Sequence, residues 1–295
     1  MKHTENDNLP GGVLAVHKGE GMTSHDVVGR VRKLYNTKRV GHTGTLDPLA
    51  TGVLVVLIGR AAKAAEYLTY DSKTYRATLR LGITTDTEDI TGNVLTEREA
   101  AVTEEELEAA LTRFRGEIDQ IPPMYSALKV GGQKLCDLAR KGREVERQPR
   151  TITIHKLECL EFTGDTARLL VHCSKGTYIR TLCKDIGEAL GCGGCMAALR
   201  RVQAGEYTID EAVPLPTLLD SEDPGQYLRP VDSMFRNYPE IALTEKQTLR
   251  CRNGNAFSLQ LDDGTYRAYS QSGEFLMLAK VENGVMSTIK SFFEV

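Results

Sequence analysis

The chain has 295 residues, a formal net charge of −3, and 26% charged and 41% hydrophobic residues. This composition predicts a soluble globular protein with one large and one small domain, and its apolar runs are too short to span a bilayer. Residues 1–9 lack the apolar core of a signal peptide, and seven cysteines, an odd number, favour free thiols over a disulfide framework. The expected compartment is therefore the cytoplasm.

The first elements read as a loose tail over 1–10, a strand over 12–18 and a helix. Thr-Ser-His-Asp at 23–26 can cap that helix, whose apolar side chains recur at helical spacing. Residues 30–39 carry five basic side chains and no acid, which indicates either a phosphate-binding face or an ordinary solvated one. Lys18, at the end of the strand, could reach a phosphate or a neighbouring loop, or could lie on the surface.

Residues 41–52 combine three glycines and one proline with a single carboxylate, Asp47. They lead into an apolar run over 53–58, so the pattern predicts a tightly folded loop and then a buried strand, with a helix over 61–69 after it. A carboxylate fixed at the mouth of a buried strand suits a nucleophile or a general base. The alternative is a carboxylate that merely caps a turn.

The next segment alternates like a half-buried strand over 73–82, with Tyr75 on the opposite face from its neighbours. Three acids follow within 84–92, but their spacing is wrong for an EF-hand, and a structural loop is the prediction. Thr103 and Glu106 then form the capping box of an acidic amphipathic helix.

A basic segment occupies residues 129–150, where seven Lys and Arg side chains face three acids, with glycines at both ends of a short helical piece. Such a segment is predicted to move. Its basic side chains, among them Arg140, Lys141 and Arg143, are candidate phosphate contacts. A solvated helical hairpin is the alternative.

Strands are predicted over 151–159 and 167–173, and residues 176–182 enter a helix. Cys192 and Cys195 form one CxxC pair, but no second pair accompanies them. Because zinc and redox sites need further ligands or a different context, no metal is predicted here.

The chain changes character after residue 238, where four short strand-like runs are separated by hairpin signals at 262–264, 272–273 and 283–284. This pattern predicts a small β-barrel. The implied division is a large domain over 1–235 and a small one over 236–295.

Several of these motifs, in the same order, resemble the TruB family, the tRNA pseudouridine-55 synthases. One difference is Gly19, which stands where the family usually has proline and predicts a looser turn. The resemblance covers nearly the whole chain. It is carried by Lys18, Gly21 and the run 23–26, and by residues 41–52, 116–130, 176–182 and 198–201.

The resemblance implies an α+β pseudouridine-synthase fold with a mixed, largely antiparallel sheet. It further implies an RNA-clasping insertion over 124–150, and a C-terminal β-barrel resembling the RNA-binding PUA domain. Site roles follow from the matching positions: Asp47 as nucleophile, Arg180 as its ionic partner, Tyr75 and Tyr178 stacking on or bordering the uracil, His42 filling the space left by the base, and Leu199 closing the pocket.

The implied activity is isomerisation of uridine 55 in the T-loop of tRNA, with the base flipped into a pocket. No cofactor is expected, because the rearrangement neither gains electrons nor transfers a group. A monomer without an obligatory protein partner is expected. Two alternatives stay open: a non-catalytic RNA-binding or RNA-folding protein, and the related guide-RNA-dependent synthase. Which carbon Asp47 attacks also stays open.

Overall fold

The computed structural model describes residues 11–65 and 72–293. The tail expected over 1–10 lies outside these residues, as does the end of the helix expected over 61–69. The beginning of that helix is a 3₁₀ turn, Gly59–Ala64. Within the described ranges, no helix is long and apolar enough to cross a membrane.

The helices and strands largely follow the sequence pattern. The α-helices of the described residues are α1 (Ser24–Leu34), α2 (Glu104–Thr112), α3 (Leu135–Ala139), α4 (Ile179–Ala189), α5 (Leu215–Leu219) and α6 (Glu245–Arg252). The strands are β1 (Gly12–Lys18), β2 (Val40–His42), β3 (Thr51–Ile58), β4 (Lys73–Leu81), β5 (Ile83–Thr85), β6 (Val94–Glu97), β7 (Gly116–Gln120), β8 (Lys129–Val130), β9 (Gln133–Lys134), β10 (Arg150–Phe162), β11 (Thr166–Cys173), β12 (Gly194–Ala204), β13 (Tyr207–Thr208), β14 (Val213–Pro214), β15 (Arg229–Pro230), β16 (Glu240–Ala242), β17 (Phe257–Ser258), β18 (Gly264–Tyr269), β19 (Phe275–Glu282) and β20 (Val285–Ser291).

The main sheet runs in the order β14-β1-β3-β12-β4-β11-β10-β7, with β2, β13 and β15 attached at its side. Among the described residues, β1 pairs with β14 and β3 with β12 in parallel, and the other pairings of this sheet are antiparallel. The prediction of a mixed, largely antiparallel sheet is confirmed.

Helices α1 and α4 cover one face of this sheet, which we call the helix face. The predicted cap of α1 is a capping box, in which the side chains of Thr23 and Asp26 each accept the other residue's backbone N–H. Apolar side chains of both helices pack with alternate residues of β1 and β3 in one core, while the intervening strand residues Val13, Val53 and Val55 belong to a second core on the opposite face. This alternation is what a sheet buried on both faces requires.

The C-terminal strands form a second sheet in the order β16-β18-β19-β20-β17. Its hairpin between β19 and β20 turns at Asn283 and Gly284, both with positive φ, as the Asn-Gly signal predicted. No ladder joins β16 to β17 in the described part of the chain, so the predicted barrel is not confirmed, and the strands form a five-stranded sheet without closure by backbone hydrogen bonds. An apolar cluster packs Ala64, in the 3₁₀ turn after β3, with Phe235 and with Leu278 and Phe292 of the C-terminal part.

Candidate active site

Asp47 lies in the tight loop between β2 and β3, with its side chain one-third exposed (33%). The preceding residue, Leu46, is fixed at both backbone groups by one hydroxyl of α1. The Ser24 Oγ donates to the Leu46 carbonyl at 3.0 Å and accepts the Leu46 N–H at 2.8 Å. A further bond from the Ala50 N–H to the Asp47 carbonyl, at 3.0 Å, closes the turn. The carboxylate therefore projects from a loop whose backbone is held.

Lys18 supports the same loop from the end of β1. Its side chain is fully buried, and its Nζ donates to the carbonyls of Gly19, Met22 and Pro48 at 2.9, 2.8 and 3.4 Å. The sequence left three possibilities for Lys18: contact with a phosphate, contact with a neighbouring loop, or a surface position. The structure shows contact with the loop, so the surface position is wrong. Burial lowers the pKa of Lys18 to about 8, and the charge of Asp47 opposes this shift.

Arg201, which the sequence analysis did not single out, lies beneath the loop and is 1% exposed. It donates to the carbonyls of Val53 at 2.6 Å, Gly44 at 3.0 Å and Thr45 at 3.4 Å. Gly52 has a φ of +106°, and a Cβ there would lie 2.1 Å from the Arg201 carbonyl oxygen. Only glycine allows β3 to pass so close to β12.

Arg180, on the first turn of α4, forms an ion pair with Asp47, the partner that the resemblance implies, and contacts it at two points. Its Nε lies 3.0 Å from Oδ2 and its Nη2 3.3 Å from Oδ1 of the carboxylate. The remaining donors bind the carbonyls of Thr87 at 3.0 Å and Tyr125 at 2.7 Å. Asp89 approaches the guanidinium at 3.9 Å. Because the planar fork is engaged on all sides, Arg180 can hold the carboxylate in one orientation.

The loop over 84–92 supplies two of these contacts, so its predicted structural role extends to the site. Glu88 has a positive φ of 63°, and its Oε2 accepts a 2.6 Å bond from the Thr181 hydroxyl of α4. Burial raises the pKa of Glu88, and the bond from Thr181 opposes the shift. The Asp89 side chain is fixed in turn by the Thr87 and Thr91 hydroxyls at 2.9 and 2.6 Å.

Tyr75 and Leu199 lie on the helix face of the adjacent strands β4 and β12, with 7% and 8% of their surfaces exposed. Tyr75 is paired in register with Arg201, whose guanidinium is within hydrogen-bonding reach of its hydroxyl. Burial raises the pKa of Tyr75, and the positive charge of Arg201 partly offsets this effect. Burial is the larger of the two effects, so the Tyr75 hydroxyl is held in its neutral form beside Arg201.

Tyr178 and His42 border the same region. Tyr178 precedes α4, where its N–H and carbonyl bind the Gln120 side chain at 2.8 and 3.1 Å, and burial raises the pKa of its phenol. His42 ends β2, and burial, with the charge of Arg201 as a smaller cause, lowers its pKa. The His42 Nδ1 is buried without a hydrogen-bond partner among the described residues.

The three predicted phosphate contacts, Arg140, Lys141 and Arg143, are exposed and lie just after α3. They are not part of the cluster around Asp47. The segment is better anchored than its composition suggested, because Leu135 and Leu138 are 1% and 7% exposed.

The relationship to known proteins agrees with this geometry. A family model described as "TruB family pseudouridylate synthase (N terminal domain)" matches residues 32–179. A second, described as "tRNA pseudouridylate synthase B C-terminal domain", matches residues 180–236. This chain belongs to the TruB family.

Curated relatives in the TruB family align over nearly the whole chain. A tRNA pseudouridine synthase B of Clostridium kluyveri is 42% identical over 95% of this chain and 99% of its own length. One from Alkaliphilus oremlandii is 48% identical over 83% of this chain and 82% of its own length. Among solved structures, a "Cbf5-Nop10-Gar1 Complex" matches at 26% identity with a TM-score of 0.72 over 96% of this chain and 85% of that one.

The buried amine of Lys18 gives a pH-dependent prediction. Its pKa is about 8 in the folded protein against a reference of 10.5, so between these values the unfolded chain binds the proton that the folded chain has lost. This group therefore makes the free energy of unfolding rise with pH across that window, by on the order of 3 kcal/mol. The difference in the free energy of unfolding between the wild type and Lys18→Met, measured by urea unfolding from pH 7 to 10.5, should increase by this amount, because the buried thiols, whose raised pKa values lower stability as pH rises, are common to both. Equal pH profiles would contradict it.

Proposed function

We propose that this TruB-family isomerase converts uridine 55 in the T-loop of tRNA to pseudouridine, with Asp47 as the nucleophile. The observation that carries the proposal is the two-point contact of Arg180 with a partly exposed Asp47 carboxylate on a braced loop. Relatives at 42–48% identity that bear the name tRNA pseudouridine synthase B supply the substrate class.

The reaction can proceed with protein side chains as its reacting groups. The bond between uracil N1 and ribose C1′ breaks, the base turns, C5 bonds to C1′, and the proton leaving C5 is balanced by one gained at N1. Atoms and electrons are conserved, so a positioned carboxylate and a proton-transfer group are sufficient. Asp47 supplies the first, and we assign the second to the Tyr75 phenol.

Arg180, Lys18 and Arg201 act as positioning residues in this proposal. Arg180 holds the Asp47 carboxylate in one orientation, because its two N–H groups bind both carboxylate oxygens. Lys18 and Arg201 hold the loop backbone through carbonyl oxygens on both sides of Asp47. A carboxylate on such a support needs little reorganisation when the base arrives.

The flipped uracil would lie against Tyr75 and be bordered by Tyr178 and Leu199. Aromatic faces and an aliphatic side chain suit a planar base. His42 would occupy the gap that the base leaves in the T-loop.

The RNA-binding surfaces extend over both parts of the chain. We assign a catalytic domain to residues 1–235, with the RNA clasp at 124–150, and a PUA-like RNA-binding domain to 236–295. The protein would act on tRNA as a cytoplasmic monomer without an obligatory protein partner. Its seven cysteines are all free, as expected for a reducing compartment.

Unmodified tRNA incubated with the purified protein alone tests the function. Chemical mapping of pseudouridine by primer extension should detect modification at position 55 and at no other uridine. A transcript with cytidine at that position is the matched control. If modification required an added guide RNA or a second protein, or occurred elsewhere, the stand-alone assignment would be wrong.

Neutralising the clasp should weaken tRNA binding in a salt-dependent way. Arg140→Gln, Lys141→Gln and Arg143→Gln together remove three exposed cations. If each contacts one phosphate, the slope of log affinity against log salt should flatten by about 2 to 3. Filter binding or fluorescence anisotropy over a salt series measures this slope.

A control triple removes exposed cations from other elements: Arg98→Gln, Arg113→Gln and Lys156→Gln. It should leave the slope close to that of the wild type. Equal slopes for both triples would show that the clasp does not contact phosphates.

A further inference from the structure

A cavity of about 540 Å³ lies on the face of the main sheet opposite to the helix face. Its charged lining includes Arg76 on β4 and Arg200 on β12. Each directly adjoins a residue of the active site, Tyr75 or Arg201, along its strand. Because successive side chains of a strand point to opposite faces, both arginines point away from the Asp47 loop. The cavity adjoins the site described above, because Leu199 and Leu49 contribute to its wall, but its two arginines lie on the other face of the sheet.

The two arginines of this cavity face each other without a counter-charge. Arg76 and Arg200 are register partners in the antiparallel pair of β4 and β12, and both are exposed. Neither forms an ion pair or a hydrogen bond with any residue in the described part of the chain. The positive charge of Arg200, after burial, contributes to the lowered pKa of His17 on β1. Like charges directly opposite each other destabilise a sheet, so this arrangement favours a bound anion.

The neighbouring arginines on the same face do form ion pairs. Arg80 lies four residues along β4 from Arg76 and pairs with Asp165 at 2.5 Å. Arg168 on β11, also in the lining, pairs with Glu161 at 2.8 Å. Glu20 is the remaining carboxylate of the lining and lies within ion-pair distance of neither Arg76 nor Arg200. The unpaired charge is thus confined to one cross-strand pair.

The rest of the lining favours a ligand with an apolar or planar part beside its anion. Thr78 and Ala198, small residues paired in register, lie next to the arginines and leave space above the strands. Leu160, 52% exposed, and Leu49 form apolar walls. The volume falls in the range of small-molecule sites, roughly 300 to 1,000 Å³. Guanidinium groups prefer phosphate, which they bind through two parallel N–H bonds.

We propose that this cavity binds the phosphate group of a nucleotide-sized ligand through Arg76 and Arg200, with the base or other planar part against Leu160 and Leu49. The phosphate comes either from a free mononucleotide or from a nucleotide of an RNA chain. The proposal does not depend on the activity assigned to Asp47.

Thermal unfolding of the full chain tests phosphate binding. At low and matched ionic strength, inorganic phosphate or uridine 5′-monophosphate in place of chloride should raise the Tm of the wild type by about 2 °C or more. Arg76→Glu places an acid opposite Arg200 and so restores a favourable cross-strand pair. This variant should melt at least as high as the wild type in chloride and show no response to phosphate. Arg80→Gln, outside the pair, should respond like the wild type.

Binding of labelled tRNA to the same variants identifies the source of the phosphate. A loss of affinity of more than about threefold at low salt in both Arg76→Glu and Arg200→Gln assigns it to RNA, since each removes one phosphate contact. Unchanged tRNA affinity together with a response to uridine 5′-monophosphate assigns it to a free nucleotide. The proposal is overturned if the wild type shows neither a ligand-dependent Tm nor a tRNA defect on mutation, or if Arg76→Glu responds to phosphate like the wild type.

Discussion

Asp47→Asn should abolish pseudouridine formation while leaving tRNA binding nearly intact. The substitution keeps the shape of the side chain and removes its charge and most of its nucleophilicity. Loop geometry should persist, because Ser24, Lys18 and Arg201 hold backbone groups rather than the carboxylate. We expect the single-turnover rate at saturating protein to fall by several orders of magnitude, with a much smaller change in the dissociation constant for tRNA.

A matched control for this prediction is Asp26→Asn. Asp26 is also an aspartate, but it lies on the first turn of α1, where its carboxylate accepts hydrogen bonds from the N–H and the hydroxyl of Thr23. That variant should lose some stability and keep its chemistry. Substantial turnover by Asp47→Asn, with its mass verified, would refute the assignment of Asp47 as the nucleophile.

Tyr75→Phe should bind tRNA like the wild type yet lose nearly all turnover. The phenylalanine ring keeps the stacking face and deletes the hydroxyl, which lies beside Arg201. Tyr75→Leu deletes both and should be equally inactive and also weaker at capturing the base, since base–aromatic stacking contributes roughly 1–3 kcal/mol. The two variants therefore separate a proton-transfer role from a stacking role.

Single-turnover rates at saturating protein measure this prediction without interference from binding. Tyr35→Phe is the matched control, because it also removes a buried hydroxyl. Tyr35 lies at the C-terminal end of α1, and its hydroxyl donates to the Pro224 carbonyl at 2.7 Å. It should retain full activity. A Tyr75→Phe variant within about threefold of the wild-type rate would leave Tyr75 as a stacking platform only.

Features encoded by neighbours in the chain were predictable from the sequence. The capping boxes at Thr23 and Thr103 and the hairpin at 283–284 each depend on residues a few positions apart, and all are present. The alternation of β4 likewise predicted Tyr75 on the face opposite to its neighbours, and in the structure that face is the buried one. Local chemistry fixes these elements, so a single sequence is enough to predict them.

Features that depend on strand order were not predictable. Arg201 contacts the Asp47 loop because β12 lies beside β3, the strand that follows this loop, in a parallel pairing of two residue pairs. Its side chain thereby reaches the carbonyl of Gly44, 157 positions away in sequence. Asp89 similarly lies close to Arg180, although the sequence predicted only a structural role for its loop, residues 84–92. The strand-rich C-terminal pattern predicted the strands but could not specify whether their edges meet.

The loop around Asp47 is held by neutral carbonyls and one hydroxyl, with buried donors in Lys18 and Arg201. Such short, buried contacts are weakly screened by dissolved ions, whereas exposed cations after α3 are strongly screened. Ionic strength should therefore act on the two stages of the reaction separately. Rising salt should increase KM steeply and leave kcat almost constant, so a cell whose ionic strength fluctuates would change how often tRNA is captured, but not how fast a captured uridine reacts.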